Sequence, residues 1–433
     1  MKKINPVLSL LLFSVIGLTP VQAADQPYIS VGAAKTRKSV LALVPTLGNP
    51  EVSQQLNRML GFMDLFSFMD PKAFLEPAGS GIAPGTFQFP AWKQIGAEFL
   101  IKSRVIQESG RFVLEGYLYE VAGARNLLAK RYVLASGDLR SVTRLFANDI
   151  VQTLTGKPGL FNTKIVMSCE RPKGRKELYL MDFDGSNVRQ ITNHRSISMG
   201  PAWNPAGTKI AYSVFMKNRK NIKNIDLYEF DLNASTTRML SNRTGINSGA
   251  NYSPDGTKIA LTMSFLNKNP EIFVFRTDNS SVERLTSSAG EDVDPAWSPD
   301  GRQIAFVSSR SGQPMVYTMN ADGSNVKRVT YAGRYNATPN WSPDGKHLVF
   351  AGWIDGRFDL FVMKPDGSAI DRLTKNVGNN EDPSYSPDGS MIIFSSNRTG
   401  SKNIYVANAS DGTGVKRLTF GMGDCTSPRW SSQ

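Results

Sequence analysis

The chain has 433 residues, 40% hydrophobic and 20% charged, with 50 Lys and Arg against 37 Asp and Glu. That length exceeds one ordinary core, and the balance excludes a fibrous or disordered chain, so two or more globular domains are expected. The formal net charge of +13 invites a nucleic-acid reading. However, Arg189, Arg238, Arg284, Arg328, Arg372 and Arg417 recur once per repeat, which spreads their charge around a rim in a structural, solvated role. No nucleic acid is expected as a partner.

Residues 1–23 have the layout of a secretory leader. Lys2 and Lys3 precede an apolar run over 7–18, and Val21-Gln22-Ala23 ends in small residues. No later stretch approaches eighteen consecutive apolar residues, so an exported, soluble chain with no direct membrane insertion is expected.

Residues 24–158 read as an α/β domain with a flexible N-terminal tail. The apolar run 39–45 suits a buried strand. Val52, Leu56, Met59 and Leu60 then recur at helical spacing behind Asn49-Pro50-Glu51, a cap, a first-turn proline and a first-turn acid. The Pro- and Gly-rich stretch 71–89 reads as an ordered loop, and 90–96 as a short helix leading to a strand at 98–105. Period-2 alternation predicts a hairpin of 111–121 with 127–135. An amphipathic helix over 138–154 places Leu139, Val142, Leu145, Phe146, Ile150 and Val151 on one face, and Gly156-Lys157-Pro158-Gly159 breaks it.

From 159 to 433 the chain repeats itself. Trp203, Tyr252, Trp297, Trp341 and Tyr385 each open an aromatic-Ser/Asn-Pro-Asp/Ala-Gly turn, and Trp430 follows on schedule, at spacings of 44 to 49 residues. A period of this size signals four-strand propeller blades. Six third strands begin near Leu178, Leu227, Ile272, Val316, Leu360 and Ile404. The first repeat lacks a first strand, while 427–431 is a first strand with nothing after it. The fold class is therefore multidomain: an N-terminal α/β domain, then an all-β six-bladed propeller closed by the C-terminal strand, which removes an unpaired edge.

On this template Cys169 and Cys425 fall on neighbouring antiparallel strands of the composite blade. Oxidation to a disulfide is expected of an exported chain, and two buried free thiols are the alternative. Catalytic signatures are sparse. No Ser has Gly at both −2 and +2, and neither histidine (His194, His347) stands near a Ser or Cys with an orienting acid in sequence. What remains is a surface, the loops just before the aromatic anchors, at the mouth of the central channel. Asp292, Asp294, Glu381 and Asp382 give two of these loops paired acids. The acids suit a partner's loop or a bound cation, while Asp294 and Asp382, each before a proline, equally suit a turn cap.

The leader, the small α/β domain and the blades together resemble the TolB family of periplasmic Tol–Pal components. Ala91-Trp92 leading to 96–101, and the junction 154–161, are similar to that family in order and spacing. The resemblance implies a monomeric, non-enzymatic periplasmic adaptor that supports outer-membrane integrity and envelope constriction at division. By position, it implies a channel mouth of Met199, Asn247, Gly249, Asp292, Val293, Asn336, Glu381 and Asp382 that binds the lipoprotein Pal. It also implies that the tail, with Ala24, Asp25, Gln26, Tyr28 and Ile29, binds the C-terminal domain of TolA. Other outer-membrane proteins are further partner candidates, and Ca2+ in the channel is a candidate ligand with no dedicated cofactor otherwise. The segment Lys35-Thr-Arg-Lys38 departs from the family pattern. The alternative is an exported propeller enzyme, or a peptidase-associated subunit, using a channel metal.

Overall fold

A computed structural model describes residues 28, 37–77, 79–133, 138–171, 173–217, 223–266 and 268–432. The leader 1–23 and the tail residues Ala24, Asp25, Gln26 and Ile29 lie outside them.

The N-terminal α/β region runs β1 (Ser39–Leu43), α1 (Pro50–Phe62), β2 (Phe66–Phe68), α2 (Phe89–Gln94), β3 (Phe99–Glu108), β4 (Arg111–Glu120), β5 (Arg125–Val133) and α3 (Leu139–Thr155). The sheet order is β2-β1-β3-β4-β5, parallel at β1 and antiparallel from β3 to β5. Alternate strand residues feed two cores. Leu41, Ile101 and Leu114 meet α1 and α3, while Ala42, Leu100 and Tyr119 meet α2. Asn49 caps α1, its side chain accepting from the Glu51 amide at 3.0 Å, a contact typically worth about 1 kcal/mol. Gly116 is the place where β4 admits α3, since a Cβ there would come 2.5 Å from the Phe146 ring. The face of α3 differs from expectation in one residue: Leu145 is exposed, and Ala147 and Leu154 are buried in its stead. The loop 71–89 is held from inside. The Glu76 carboxylate accepts from Lys102 Nζ at 2.6 Å and Trp92 Nε1 at 3.2 Å, and the Tyr119 hydroxyl donates to Ile82 O at 2.6 Å.

The second region is a β-propeller. Its strands are β6 (Lys164–Glu170), β7 (Lys176–Asp182), β8 (Arg189–Gln190), β9 (Ile197–Trp203), β10 (Lys209–Lys217), β11 (Lys223–Asp231) and β12 (Thr236–Ser241). They continue as β13 (Asn247–Tyr252), β14 (Lys258–Met263), β15 (Glu271–Arg276), β16 (Val282–Arg284), β17 (Asp292–Trp297), β18 (Gln303–Ser308), β19 (Met315–Asn320) and β20 (Lys327–Arg328). The last are β21 (Asn336–Trp341), β22 (Leu348–Ile354), β23 (Arg357–Met363), β24 (Asp371–Arg372), β25 (Asn380–Tyr385), β26 (Met391–Thr399), β27 (Ser401–Asn408), β28 (Lys416–Arg417) and β29 (Asp424–Trp430). From β13 to β28 they form four separate four-stranded antiparallel sheets. The sets β9–β12 and β29-β6-β7-β8 share one eight-stranded sheet, joined by a single parallel bridge between Lys176 and Ile197.

The repeated turn builds scaffold. In Ser253-Pro254-Asp255-Gly256 the Asp255 carboxylate accepts from Ser253 Oγ at 2.6 Å and the Thr257 amide at 3.0 Å, and Gly256 N returns to Ser253 O at 2.9 Å. Four of the five turn glycines then face the proline of the preceding turn, and Gly207 faces Ser432. A Cβ on Gly256, Gly301, Gly345 or Gly389 would meet Pro205, Pro254, Pro299 or Pro343 at 3.5–3.8 Å. The recurring arginines are structural, but several do more than face solvent. Arg284 and Arg372 donate to the buried carboxylates Glu271 and Asp359, which also accept from Thr286 and Thr374. Burial alone would raise the Glu271 carboxyl, but its bonds from Thr286, Ser288, Asn269 and Arg284 hold it below the ordinary range.

The α/β region packs on the turn-bearing end of the propeller. One apolar core runs from Leu56 and Phe146 through Phe161 and Phe183 to Ile393 and Trp430. Lys416 Nζ donates to the carbonyls of Gly61 and Phe62 at 3.0 and 2.8 Å, at the negative end of the α1 dipole. Burial pushes the Asp182 carboxyl up, but bonds from Lys164 and Arg144 hold it below the usual range.

The ring closes where β29 pairs with β6. Cys425 lies directly opposite Cys169 in the register, and the two form a disulfide across 256 residues. Trp430 Nε1 adds a bond to Thr163 Oγ1 at 2.7 Å, and Ser431 N one to Lys164 O at 2.8 Å. Cross-links of this reach typically contribute about 2–4 kcal/mol. The double variant Cys169→Ser/Cys425→Ser should therefore lose about 2–4 kcal/mol in urea unfolding followed by tryptophan fluorescence. An unchanged midpoint would show that strand pairing alone closes the ring.

Candidate functional site: the channel mouth

Six innermost strands, β9, β13, β17, β21, β25 and β29, line the channel, and each breaks its ladder with a bulge. At each bulge one residue takes a left-handed conformation: Gly200 (φ 58), Gly249 (φ 64), Asp294 (φ 54), Thr338 (φ 50), Asp382 (φ 55) and Ser427 (φ 53). In five of the six a non-strand-forming choice is visible, because Gly200, Asp294, Thr338, Asp382 and Ser427 each precede a proline. A bulge leaves an extra residue unpaired and bends the strand, re-aiming a side chain. Left-handed backbone costs a non-glycine residue roughly 1–2 kcal/mol, so four such residues in one ring are a structural investment at a single place.

The two aspartates use this conformation to reach the next blade. Asp382 Oδ2 accepts from the Ser427 amide at 2.9 Å, and the Asp294 carboxylate accepts from the Thr338 amide. Sequence reasoning offered Asp294 and Asp382 as turn caps or as ligands. They are inter-blade ties whose carboxylates also set the charge of the channel. Arg429, two residues beyond the Ser427 bulge, adds the opposing charge. Its Nη1 donates to Pro428 O at 2.9 Å, and it makes no salt bridge among the described residues. Burial pulls its pKa down, against the attraction of Asp382 and Asp294. Burial pushes the Asp294 carboxyl up to about 6. Repulsion from Asp382 adds to this, and Arg429 and the Thr338 amide oppose it.

The residues expected at the mouth divide in two. Met199, Gly249, Val293, Glu381 and Asp382 are partly exposed along the inner strands, and Glu381 is paired with Lys402. Asn247, Asp292 and Asn336 are buried and hold the loops from within. Asn247 Nδ2 donates to Arg243 O at 2.6 Å and Ile225 O at 2.8 Å, Asp292 Oδ2 accepts from Arg310 at 2.8 Å, and Asn336 Nδ2 donates to Ala332 O at 3.0 Å. Sequence reading places Thr338 and Ser427 in the mouth loops without a role of their own and passes over Arg429, which carries no motif. Only their shared offset from the aromatic anchor could have found them. In the tail, Tyr28 sets its ring edge-on to Phe99 at 6.2 Å, with the Arg125 guanidinium 5.9 Å from its centre.

The chemistry available is recognition. His194 Nε2 bonds the Tyr212 hydroxyl at 2.8 Å, and His347 is exposed on a turn. Among the described residues no three of His, Cys, Asp and Glu gather into a metal-holding group. In the channel the carboxylates of Asp294 and Asp382 are each engaged by a backbone amide and face the cation of Arg429. Calcium takes six to eight oxygen ligands, and these two carboxylates do not by themselves supply such a set. No helix among the described residues is long and apolar enough to cross a membrane.

Raising the Asp294 pKa has a consequence for stability. A carboxyl near 6 in the folded state and about 3.9 unfolded stabilises the fold below about pH 4, and this contribution is lost as pH rises through 6. Asp294→Asn should remove that part of the pH dependence of unfolding, and Asp382→Asn should lower the Asp294 pKa seen by carboxyl NMR. An Asp294 that titrates near 4 in the parent protein would contradict this geometry.

Comparison with known proteins agrees with the fold. The chain matches the TolB beta propeller domain family over residues 151–353 and 336–433. It is 36% identical over 299 residues to a "Protein TolB homolog" of Chlorobium chlorochromatii, covering 67% of this chain and 66% of that one. It is 38% identical over 220 residues to a "Tol-Pal system protein TolB" of Geobacter sulfurreducens, covering 48% and 50%. The matched stretches thus span between about half and just under two thirds of these relatives. The crystal structure of TolB from Acinetobacter baumannii superposes with a TM-score of 0.82 at 25% identity, over 94% of this chain and 100% of that one.

Proposed function

Because the chain belongs to the TolB β-propeller family, we propose that it is a non-enzymatic periplasmic adaptor of the Tol–Pal system. In this reading the channel mouth binds Pal, the N-terminal tail binds the C-terminal domain of TolA, and the protein supports outer-membrane integrity and constriction at division. The observation that carries it is the superposition with a TolB structure across both regions of the chain. The channel supports it, because its inner strands offer a partly exposed, partly charged mouth.

The eight-stranded sheet fits this reading as two blades touching at the single bridge Lys176–Ile197, which with the four separate sheets makes six. Six equivalent bulges, one per innermost strand, support that count. The leader is then 1–23, the α/β domain with its tail 24–158, and the propeller 159–433. Within the mouth, Met199, Gly249, Val293 and Glu381 are the contact candidates, since their chains are partly open to a partner. Asn247, Asp292 and Asn336 act by shaping the loops that present them.

Two changes test this in titration calorimetry with the soluble domain of Pal and the C-terminal domain of TolA from the same genome. Val293→Asp with Glu381→Ala should weaken Pal at least tenfold, about 1.4 kcal/mol, with no change in Tm and TolA binding intact. Deletion of residues 24–31 should abolish TolA binding and leave the Pal complex in place. A parent protein that binds neither domain would refute the adaptor reading.

A further inference from the structure

One side of the mouth gathers five cations on neighbouring connections. The β6–β7 connection holds Arg171, Lys173 and Arg175, with Lys176 at the start of β7, and the connection into β9 holds Arg195. The connections touch. Lys176 N donates to Ser196 O at 2.8 Å, and the Arg171 guanidinium donates to Gly421 O in the connection before β29. Arg171, Lys173, Arg175 and Arg195 are all exposed, and none of the five cations is in a salt bridge with a described carboxylate. The acids at this end are fewer: Glu170 lies opposite Lys176 and Asp424 in the register, and Glu177 follows Lys176. Glu170 accepts from the Gly174 amide at 2.7 Å. Glu177 is buried and accepts from Thr192 Oγ1 and the Arg195 amide, each at 2.6 Å.

Elsewhere at this end of the ring, exposed cations such as Lys268, Arg334 and Lys375 stand singly in separate connections, and others are matched. Arg310 pairs with Asp292, Lys402 with Glu381, and Arg372 with Asp355 and Asp359. Beside the unmatched rim, Phe420 is 67% exposed, its ring centre 4.7 Å from the Arg417 guanidinium. Like charges held together without counter-charge repel one another, and an exposed aromatic among them supplies an apolar anchor.

We propose that this rim, Arg171, Lys173, Arg175 and Arg195, with Phe420 next to the Gly421 carbonyl that Arg171 binds, docks an acidic protein segment of the partner seated on the mouth. The assignment rests on the adaptor reading and deepens it, because it fixes which way round the partner sits. Its acidic segment lies over β6–β7, and the rest of its contact surface lies over the channel. An anionic bilayer fits less well, since a flat surface across the mouth would also meet Glu291, exposed on the opposite side, and the channel carboxylates near Tyr335. The Tyr335 hydroxyl is pushed up by burial and by Asp294, Glu291 and Glu381, which places those acids together. Rim charges act chiefly on the rate of encounter and on its salt dependence.

The test is stopped-flow association of the full chain with the soluble domain of Pal, comparing the parent with Lys173→Glu/Arg175→Glu. Both side chains are exposed and make no side-chain hydrogen bond, and circular dichroism with Tm checks that the variant folds. At about 50 mM salt kon should fall at least tenfold, converge on the parent value as salt rises, and leave koff within about twofold. Lys173→Gln/Arg175→Gln should fall between. A variant kon equal to the parent at low salt overturns the rim assignment while the adaptor reading stands. Parent binding to phosphatidylglycerol vesicles that the variant loses would overturn it in favour of lipid. Absence of any parent complex with Pal would remove the rim assignment together with the reading on which it rests.

Discussion

Everything in this propeller depends on a strand that arrives last. β29 supplies the innermost strand of the sheet begun by β6, so the chain's end must pair with a segment more than 250 residues earlier before the ring exists. Until that pairing forms, β6 is an open edge and the adjacent strands lack a neighbour on one side. Backbone bonds, the Trp430–Thr163 contact and the Cys169–Cys425 disulfide converge on this seam. The α/β region sits over it, sharing the core that contains Phe161, Cys425 and Trp430, so the seam and the contact between the two regions draw on the same buried side chains.

Closure imposes a second constraint, at the axis. Inner strands converging on a channel must bend away from it, and each does so by the same device, a bulge with one left-handed residue. Where that residue is Asp294 or Asp382 its carboxylate ties to the next inner strand. Where it is glycine no side chain can make the tie; a Cβ on Gly200 would meet nothing within 4 Å, whereas at Gly249 it would meet the Asp294 carboxylate at 3.6 Å. The mouth is therefore asymmetric because identical backbone geometry carries different side chains. Two carboxylates and Arg429 concentrate charge on one part of the channel, and the unmatched cations of the β6–β7 connection place it on the rim.

The repeat made most of the fold legible. Its aromatic anchor and proline–glycine turn are dictated by local backbone needs, so the strand plan, the seam and the placing of both cysteines on neighbouring strands could be read from spacing. The α/β helices were legible for the same reason, through caps at Asn49 and Asp138 and apolar periodicity. Leu145 was misplaced because periodicity shows a face without showing how far the neighbouring sheet reaches across it. The arginines before β-strand ends looked solvated because their partners, Glu271 and Asp359, lie on a different strand and give no sequence signal of burial. The same blindness applied at the mouth. Asn247, Asp292 and Asn336 are polar residues in loops, which reads as exposure, and only tertiary packing turns them inward as loop supports. Arg429 escaped notice because its role comes from two carboxylates on other blades.

Hydrogen–deuterium exchange of the full chain, with and without the soluble domain of Pal, would map the contact surface segment by segment. Exchange should slow in the six mouth segments at 197–200, 246–249, 291–294, 335–338, 380–382 and 424–427. The proline–glycine turns at the other end, which face the α/β region, should not change. Protection confined to those turns, or spread over the outer strands with the mouth unaffected, would contradict binding at the mouth.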